Sequence, residues 1–324
     1  MSSSTEVSYL SHARYGKDKV RVLRVVRDAE DAGFHHVVEY IVTVLVEGKI
    51  DVSYTQADNS VIVATDSLKN ITYYVAKVSP HILNPERFAM HLGTHLVSKY
   101  SHLHKAFITV QQLRWSRIPV NGKEHRHSFF RDGDEKRIIN VEIDASNGKD
   151  KLVAKVKAGI NDLLILKSTG SSFTNFIRDE YTILKEVDDR IFSTSVDLVY
   201  NFTPIPITPP SDKEKLDFSV PTDAEKKGSV WDASLPERAR TVTLEVFATD
   251  DSASVQATLY KMATQIVTEN AGIEDVSYSL PNVHYVPVDM SYIGKENLNP
   301  AQAEVFIPLS APSGLISATV SRKH

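Results

Sequence analysis

The sequence predicts an α+β protein built from two tandem units, each an antiparallel sheet with helices on one face. Three observations predict it. Between about residue 20 and residue 143 the hydrophobic patterns run strand, strand, helix, helix, strand, strand. From about residue 152 the same order returns. The length, 324 residues, suits about two domain-sized units. Sequence identity between the halves is not evident, so the repeat is one of element order, ββααββ.

In the first half, Ser-rich residues 1–12 form a loose start. Val20–Arg27 is a valine-rich strand. Residues 36–47 form a long strand, with Val38, Tyr40, Val42, Val44 and Val46 on one face. The stretch Asn59–Asn70 then places a short apolar run, Val61–Ala64, before Thr65-Asp66-Ser67. A helix follows, because Leu68, Ile71, Val75 and Val78 recur at spacings of three and four. Thr65, Asp66 or Ser67 is expected to cap it. A helix start also suits an anion, but on this stretch alone the ordinary cap is the preferred reading. A second helix runs from Pro85 to Tyr100, with Pro85 in its first turn. Two strands, Ala106–Ile118 and His127–Ile143, are joined by an Asn121-Gly122 hairpin turn.

In the second half, Leu152–Leu166 reads as a strand. The connection from Lys167 to Leu184 is expected to hold a short helix. Asp189–Phe202 is another strand. Residues 203–228, rich in Pro, Lys, Asp and Glu, read as a surface insertion or disordered loop. Helices follow at Leu235–Ala248 and Ser252–Asn270. Two interrupted strands close the chain, Val276–Met290 broken at Pro281 and Glu304–Val320 broken at Ala311–Gly314. The units are thus 13–147 and 150–324. The sheet faces not covered by helices are apolar enough to need a cover, and oligomerisation into a sheet-lined barrel supplies one.

Composition narrows the function. The net charge of −4 gives no reason to expect nucleic acid. Cysteine is absent, which excludes disulfides, thiolate catalysis and cysteine-ligated metals. No apolar run reaches transmembrane length, and the N-terminus lacks a secretory h-region. The simplest expectation is a soluble intracellular protein. Glycine-rich phosphate loops and a GxSxG elbow are missing. The pairs His102/His104 and His125/His127 have metal-ligand spacing but no convincing third ligand, so they read as surface or turn histidines. Asn282 and His284 alternate with Val283 and share a face if extended. A turn-forming strand end and a functional pair fit them equally. Read singly, Arg190 is a surface ion pair, Gln256 a solvent-exposed helix residue and Phe173 a satellite core residue.

Eight ordered segments change that reading: RYGK at 14–17, DNSVIVATDSLKN at 58–70, HSFFRD at 127–132, LKSTGSSFTNFIRDEYTIL at 166–184, DRIFSTSVD at 189–197, SASVQATLYKMA at 252–263, SLPNVHY at 279–285 and PSGLISATV at 312–320. Through them nearly the whole chain resembles the urate oxidase (uricase) family, its fungal members most closely. The resemblance implies the tunnelling fold: two ββααββ units per chain, assembled as a homotetramer with a barrel-like tunnel. It implies oxidation of urate by dioxygen to 5-hydroxyisourate and hydrogen peroxide, with no cofactor and no metal.

The resemblance also assigns roles. Arg190 and Gln256 match the clamp on the planar purine, Phe173 the ring stacked on it, and Val255 a backbone contact. Asn282 matches the side chain that holds dioxygen, or the water that replaces it. Lys17, Thr65 and His284 match a proton relay. Thr65 and Asp66 reach the site of a neighbouring subunit. Many members end in an SKL-like tripeptide, which makes the peroxisome the family expectation. This chain ends Ser321-Arg322-Lys323-His324, which does not match; a cytoplasmic location is the alternative. Residues 203–228 look longer than usual for the family and carry none of the matched residues. The runner-up within the fold is a pterin enzyme, and outside catalysis a purine-binding oligomer.

Overall fold

The computed structural model describes residues 8–220, 232–299 and 303–323. Of the loose start expected at 1–12, residues 1–7 lie outside them, as do residues 221–228 of the expected insertion. The chain divides into two compact units. The first takes in the chain up to 133, 137–158 and the described residues from 203; the second holds 134–136, 159–202 and the rest. The tandem boundaries 13–147 and 150–324 are a reading of element order, whereas this division follows packing.

In the first unit, β1 (Tyr15–Arg27) pairs antiparallel with β2 (His35–Gly48), which continues into β3 (Leu103–Val120) and β4 (Lys123–Asp144). Between β2 and β3 come α1 (Asp51–Thr55), α2 (Thr65–Val78) and α3 (Pro85–Lys99). The even-numbered residues of β2 from Val38 to Val46 are buried, and on the helices Leu68, Val75, Phe88, Leu92 and Leu96 are buried as well. The Asn84 carboxamide caps α3 by accepting from Arg87 N, with Pro85 behind it. Asn121 and Gly122 both have positive φ, as the tight hairpin turn demands. On the opposite face, Glu39 is buried but satisfied by Arg21, Arg131 and Trp115 at 2.5, 2.6 and 3.0 Å. Those bonds hold its carboxyl below the usual range against the opposing push of desolvation.

In the second unit, the part of β5 (Leu152–Lys167) from Gly159 onward and β6 (Phe192–Phe202) belong to its sheet. β7 (Ile205–Ile207) belongs to the first unit, and after it along the chain come α4 (Leu235–Thr249) and α5 (Val255–Glu269) of the second. β8 (Ile273–Pro281) pairs with β6 and with the last strand. β9 (His284–Pro287) and β10 (Phe306–Leu309) form a separate ribbon, and β11 (Leu315–Ser321) ends the fold. The helix expected between Lys167 and Leu184 is not there. Residues 168–191 are irregular, and Gly170 and Asn175 sit in the left-handed region, where a helix cannot continue. α5 also starts later than the Ser252 of the sequence reading, at Val255, and Ser254 caps it by accepting from Ala257 N.

The segment expected as a surface insertion is, over its described part, a packed piece of the first unit. Ile205 and Ile207 are buried, and β7 pairs with the start of β5. Phe218 and Val220 are buried too. Three histidines clasp the segment. His91 bridges Ser79 Oγ at 2.8 Å and Lys215 O at 3.1 Å, His95 reaches the same carbonyl at 3.4 Å, and His81 lies 3.3 Å from Asp217. The apolar residues of PIPI and DFSV are spread among charges, and this hides their burial from a composition reading.

Burial pulls the pKa of all three histidines down, and the Lys215 carbonyl and the nearby carboxylates Asp212 and Asp217 only partly offset it. The folded chain therefore favours neutral imidazoles, whereas the unfolded chain binds protons near the ordinary value of about 6.5. Stability should be complete above that value and fall as pH drops through it. A thermal melt at pH 8 and at pH 5.5 should show a lower transition at pH 5.5, and His91→Gln should flatten the difference.

Two glycines mark where strands touch most closely. A Cβ on Gly16 would lie 1.8 Å from the Val44 carbonyl, and one on Gly159 would lie 1.8 Å from the Leu198 carbonyl. In both units a left-handed residue follows three places later, Lys19 and Asp162. The structure thus reveals a repeat signature that residue identity hides. Gly16→Ala and Gly159→Ala should each cost about 1–3 kcal/mol in denaturant unfolding, since a whole strand must move to admit one methyl.

Candidate active site

The second unit holds a cavity of about 610 Å3. It is lined by Ser168, residues 187 and 189–193, the Asn282–Pro287 stretch, Glu304 and Phe306. Arg190 sits half-buried there, its guanidinium 5.2 Å from the centroid of Phe173. The Phe173 ring stacks on Phe176, with centroids 4.9 Å apart and planes at 11°. Burial lowers the Arg190 pKa, yet a guanidinium remains a cation at any working pH. Among the described residues no carboxylate pairs with it. The ion pair expected at Arg190 is missing because Asp189 turns away. Its carboxylate accepts from Thr169 Oγ1 at 2.5 Å, Gly170 N at 2.8 Å and Ser171 N at 3.3 Å.

Asn282 is fixed by backbone on both sides. Its N–H donates to Gly314 O at 2.8 Å, and Val283 N donates to Ser193 O at 3.0 Å. Thr194 Oγ1 donates to Pro281 O at 2.9 Å. The Asn282 Oδ1 atom is buried and accepts no hydrogen bond from the described residues. Buried carboxamide oxygens are nearly always satisfied, so an orphan in a cavity wall marks a place for a ligand or water. His284 opens β9 and is exposed in the same wall. Asn282 and His284 therefore line one cavity.

Val255 and Gln256 are the first two residues of α5, Val255 buried and Gln256 exposed. The loop bearing Phe173 is tied to the run-up of that helix. Ser252 N donates to Gly170 O at 3.0 Å, and Ser172 N donates to Ser252 O at 2.9 Å. Gln256 is exposed, as its helical position predicts. Phe173 is a partly exposed stacking surface and not a core residue.

The first unit holds Lys17, Thr65 and Asp66. Lys17 lies opposite the buried Val44, on the helix-bearing face of the sheet, and a bulge follows it before Val20. Tyr15 OH accepts the Val63 N–H at 2.7 Å, which fixes the start of α2 beside β1. Burial raises the Tyr15 pKa, so it stays a neutral phenol. The expected side-chain cap of α2 is not formed. Ala64 occupies the cap position, and no side chain accepts from the first turn. The Asp66 carboxylate instead takes Lys69 at 2.5 Å and Asn70 at 3.0 Å. The Lys69 bond, and to a lesser degree the Lys17 ammonium, hold that carboxyl below its usual range. The helix start thus keeps its free N–H groups, with the Thr65 hydroxyl exposed beside them and Lys17 nearby.

Sequence reasoning missed Asp189, Tyr15 and Gly314. A Cβ on Gly314 would meet the Asn282 carboxamide at 3.4 Å. None has a local signature, since each acts through a residue far along the chain. No group of three or more His, Asp or Glu suited to a metal occurs among the described residues. Among them, too, no helix is long and apolar enough to cross a membrane.

Antiparallel sheets backed by paired helices, with the Arg190 cation and a free carboxamide oxygen lining one cavity, agree with the tunnelling fold. The uricase family profile matches residues 13–142 and 156–317. The uricase of Aspergillus flavus is 47% identical over 98% of both chains, and that of Emericella nidulans 45% over the same share. The crystal structure of uricase from Arthrobacter globiformis superposes with a TM-score of 0.79 at 31% identity, covering 98% of this chain and 96% of its own. The chain belongs to the uricase family.

Proposed function

We propose that this chain oxidises urate with dioxygen to 5-hydroxyisourate and hydrogen peroxide, using neither a metal nor an organic cofactor. The observation that carries the reading is the half-buried Arg190 guanidinium, unpaired among the described residues and 5.2 Å from the Phe173 ring centroid, lining the same cavity as the Asn282 Oδ1 that accepts nothing from those residues. Urate is a flat anion, and a guanidinium fork suits its carbonyl-and-nitrogen edge. Gln256 supplies a donor and an acceptor for another edge, and Val255 a backbone contact. Phe173 stacks on the ring, and Asn282 holds dioxygen or water above it.

The electron-rich anion gives two electrons to dioxygen, and water supplies the hydroxyl that the product gains. The protein's part is to orient the anion, stabilise charge and move protons. Lys17, Thr65 and His284 form the relay that does the last. Thr65 and Asp66 belong to the first unit, and we assign them to the cavity of a neighbouring subunit in a homotetramer. Exposed Leu23, Leu164 and Leu166 on the strands support an assembly that covers them.

The test uses chelator-treated protein in air-saturated buffer. Urate loss matched by an equal release of peroxide supports the reading. Binding without turnover would leave a purine-binding oligomer, and restoration only on adding metal would refute cofactor-free chemistry.

A further inference from the structure

We infer that Asp189 is a positioning residue for the urate clamp, an inference that rests on the urate reading above. Its carboxylate sits at the root of Arg190 and accepts three bonds from the loop that carries Phe173, from Thr169 Oγ1, Gly170 N and Ser171 N. Gly170 is left-handed, so this turn has a fixed shape that the carboxylate completes. Two residues earlier, Val187 and Phe173 exchange backbone bonds at 2.8 and 3.2 Å. The segment bearing the cation and the loop bearing the ring are therefore stapled twice, by backbone at Val187 and by side chain at Asp189.

The staple reaches further. Ser171 pairs with the fully buried Ser252, and the Ser252 hydroxyl meets Thr258 Oγ1 at 2.8 Å inside α5. Displacing the Gly170–Ser172 turn therefore displaces the start of the helix that presents Val255 and Gln256. One carboxylate sets the spacing of ring, cation and amide, three parts of the clamp that come from three places in the sequence. The Thr169 hydroxyl, first among its partners, keeps it ionised by holding its pKa below the usual carboxylate range.

Misplacing binding groups that act equally on substrate and transition state raises KM and leaves kcat nearly unchanged. In the full-length protein, Asp189→Ala should raise KM for urate about tenfold or more, with kcat within about threefold. Equilibrium dialysis of urate under nitrogen should show the same weakening. Asp189→Asn retains an oxygen for Gly170 N and Ser171 N and should return KM to within about threefold of native. Thr169→Val should move KM in the same direction by about two- to threefold, which keeps the test open should Asp189→Ala fail to fold. Native KM in folded Asp189→Ala, or in Thr169→Val when that variant alone is available, overturns the proposal. So does a fall in kcat at native KM, or an Asp189→Asn as impaired as Asp189→Ala. A native protein that neither binds nor consumes urate refutes the underlying function instead.

Discussion

Lys17→Met and Thr65→Ala should each slow urate turnover by about two to four orders of magnitude while leaving the fold intact, the range spanned by positioned proton transfer. The reason is their placement. Lys17 is held on the helix-bearing face of β1 by its register with Val44, and the Tyr15–Val63 bond fixes the start of α2 near it. The Thr65 hydroxyl stands at a helix start whose first N–H groups no side chain caps. Lysine, hydroxyl and free N–H groups together can hold and pass a proton without a structural role that would unfold the chain if lost. Stopped-flow turnover with a matched melt separates the two effects. Near-native turnover in a folded variant removes that residue from the relay. The shared-site assignment adds a second readout. Inactive Thr65→Ala chains, reassociated with inactive Arg190→Ala chains, should regain up to about a quarter of native activity, because some cavities then receive both intact halves. No recovery in confirmed mixed oligomers would place Thr65 and Arg190 in the same subunit's site.

Arg190→Ala should reduce kcat/KM by about 10²–10⁴, as expected when two charge-assisted hydrogen bonds to a bound anion are lost at about 1.5–3 kcal/mol each. Most of the loss should lie in KM, since the fork binds substrate and transition state alike. Arg190→Lys should recover little, because an ammonium cannot match a planar edge with two parallel donors. The variant should fold, since among the described residues the guanidinium pairs with no carboxylate and its contact is the Phe173 ring. A lysine variant with native KM would mean that Arg190 acts as a point charge and not as a fork.

Those sites differ in how far the sequence exposes them. The strand at His35–Gly48 and the helix at Pro85–Lys99 fall almost where their patterns put them, because periodicity, Pro85 and the Asn84 cap all act within one turn or one pleat. The Asn121-Gly122 hairpin is local in the same way. Arg190, Phe173 and Asn282 become a site only through the family resemblance, since nothing in their own neighbourhoods brings them together. Asp189 stays hidden because its three bonds go to a loop eighteen to twenty residues away, two of them to backbone that any residue type supplies. The missing α2 cap misleads for a related reason. Asp66 has two competing partners one turn on, and Lys69 and Asn70 outbid the free N–H groups.

The histidine clasp has a consequence for the order of synthesis. The core of the first unit includes Ile205, Ile207 and Phe218, which the ribosome makes only after β6 of the second unit. At about 5–20 residues per second, the delay between Ala158 and Val220 is roughly 3–12 s. Through that interval the faces of His81 and His91 that later meet Phe218, and the ladder edge of β5 that later takes β7, have no partner. A nascent chain of this protein therefore carries an unfinished first unit while its second is already emerging, and that window is when a chaperone has most to protect.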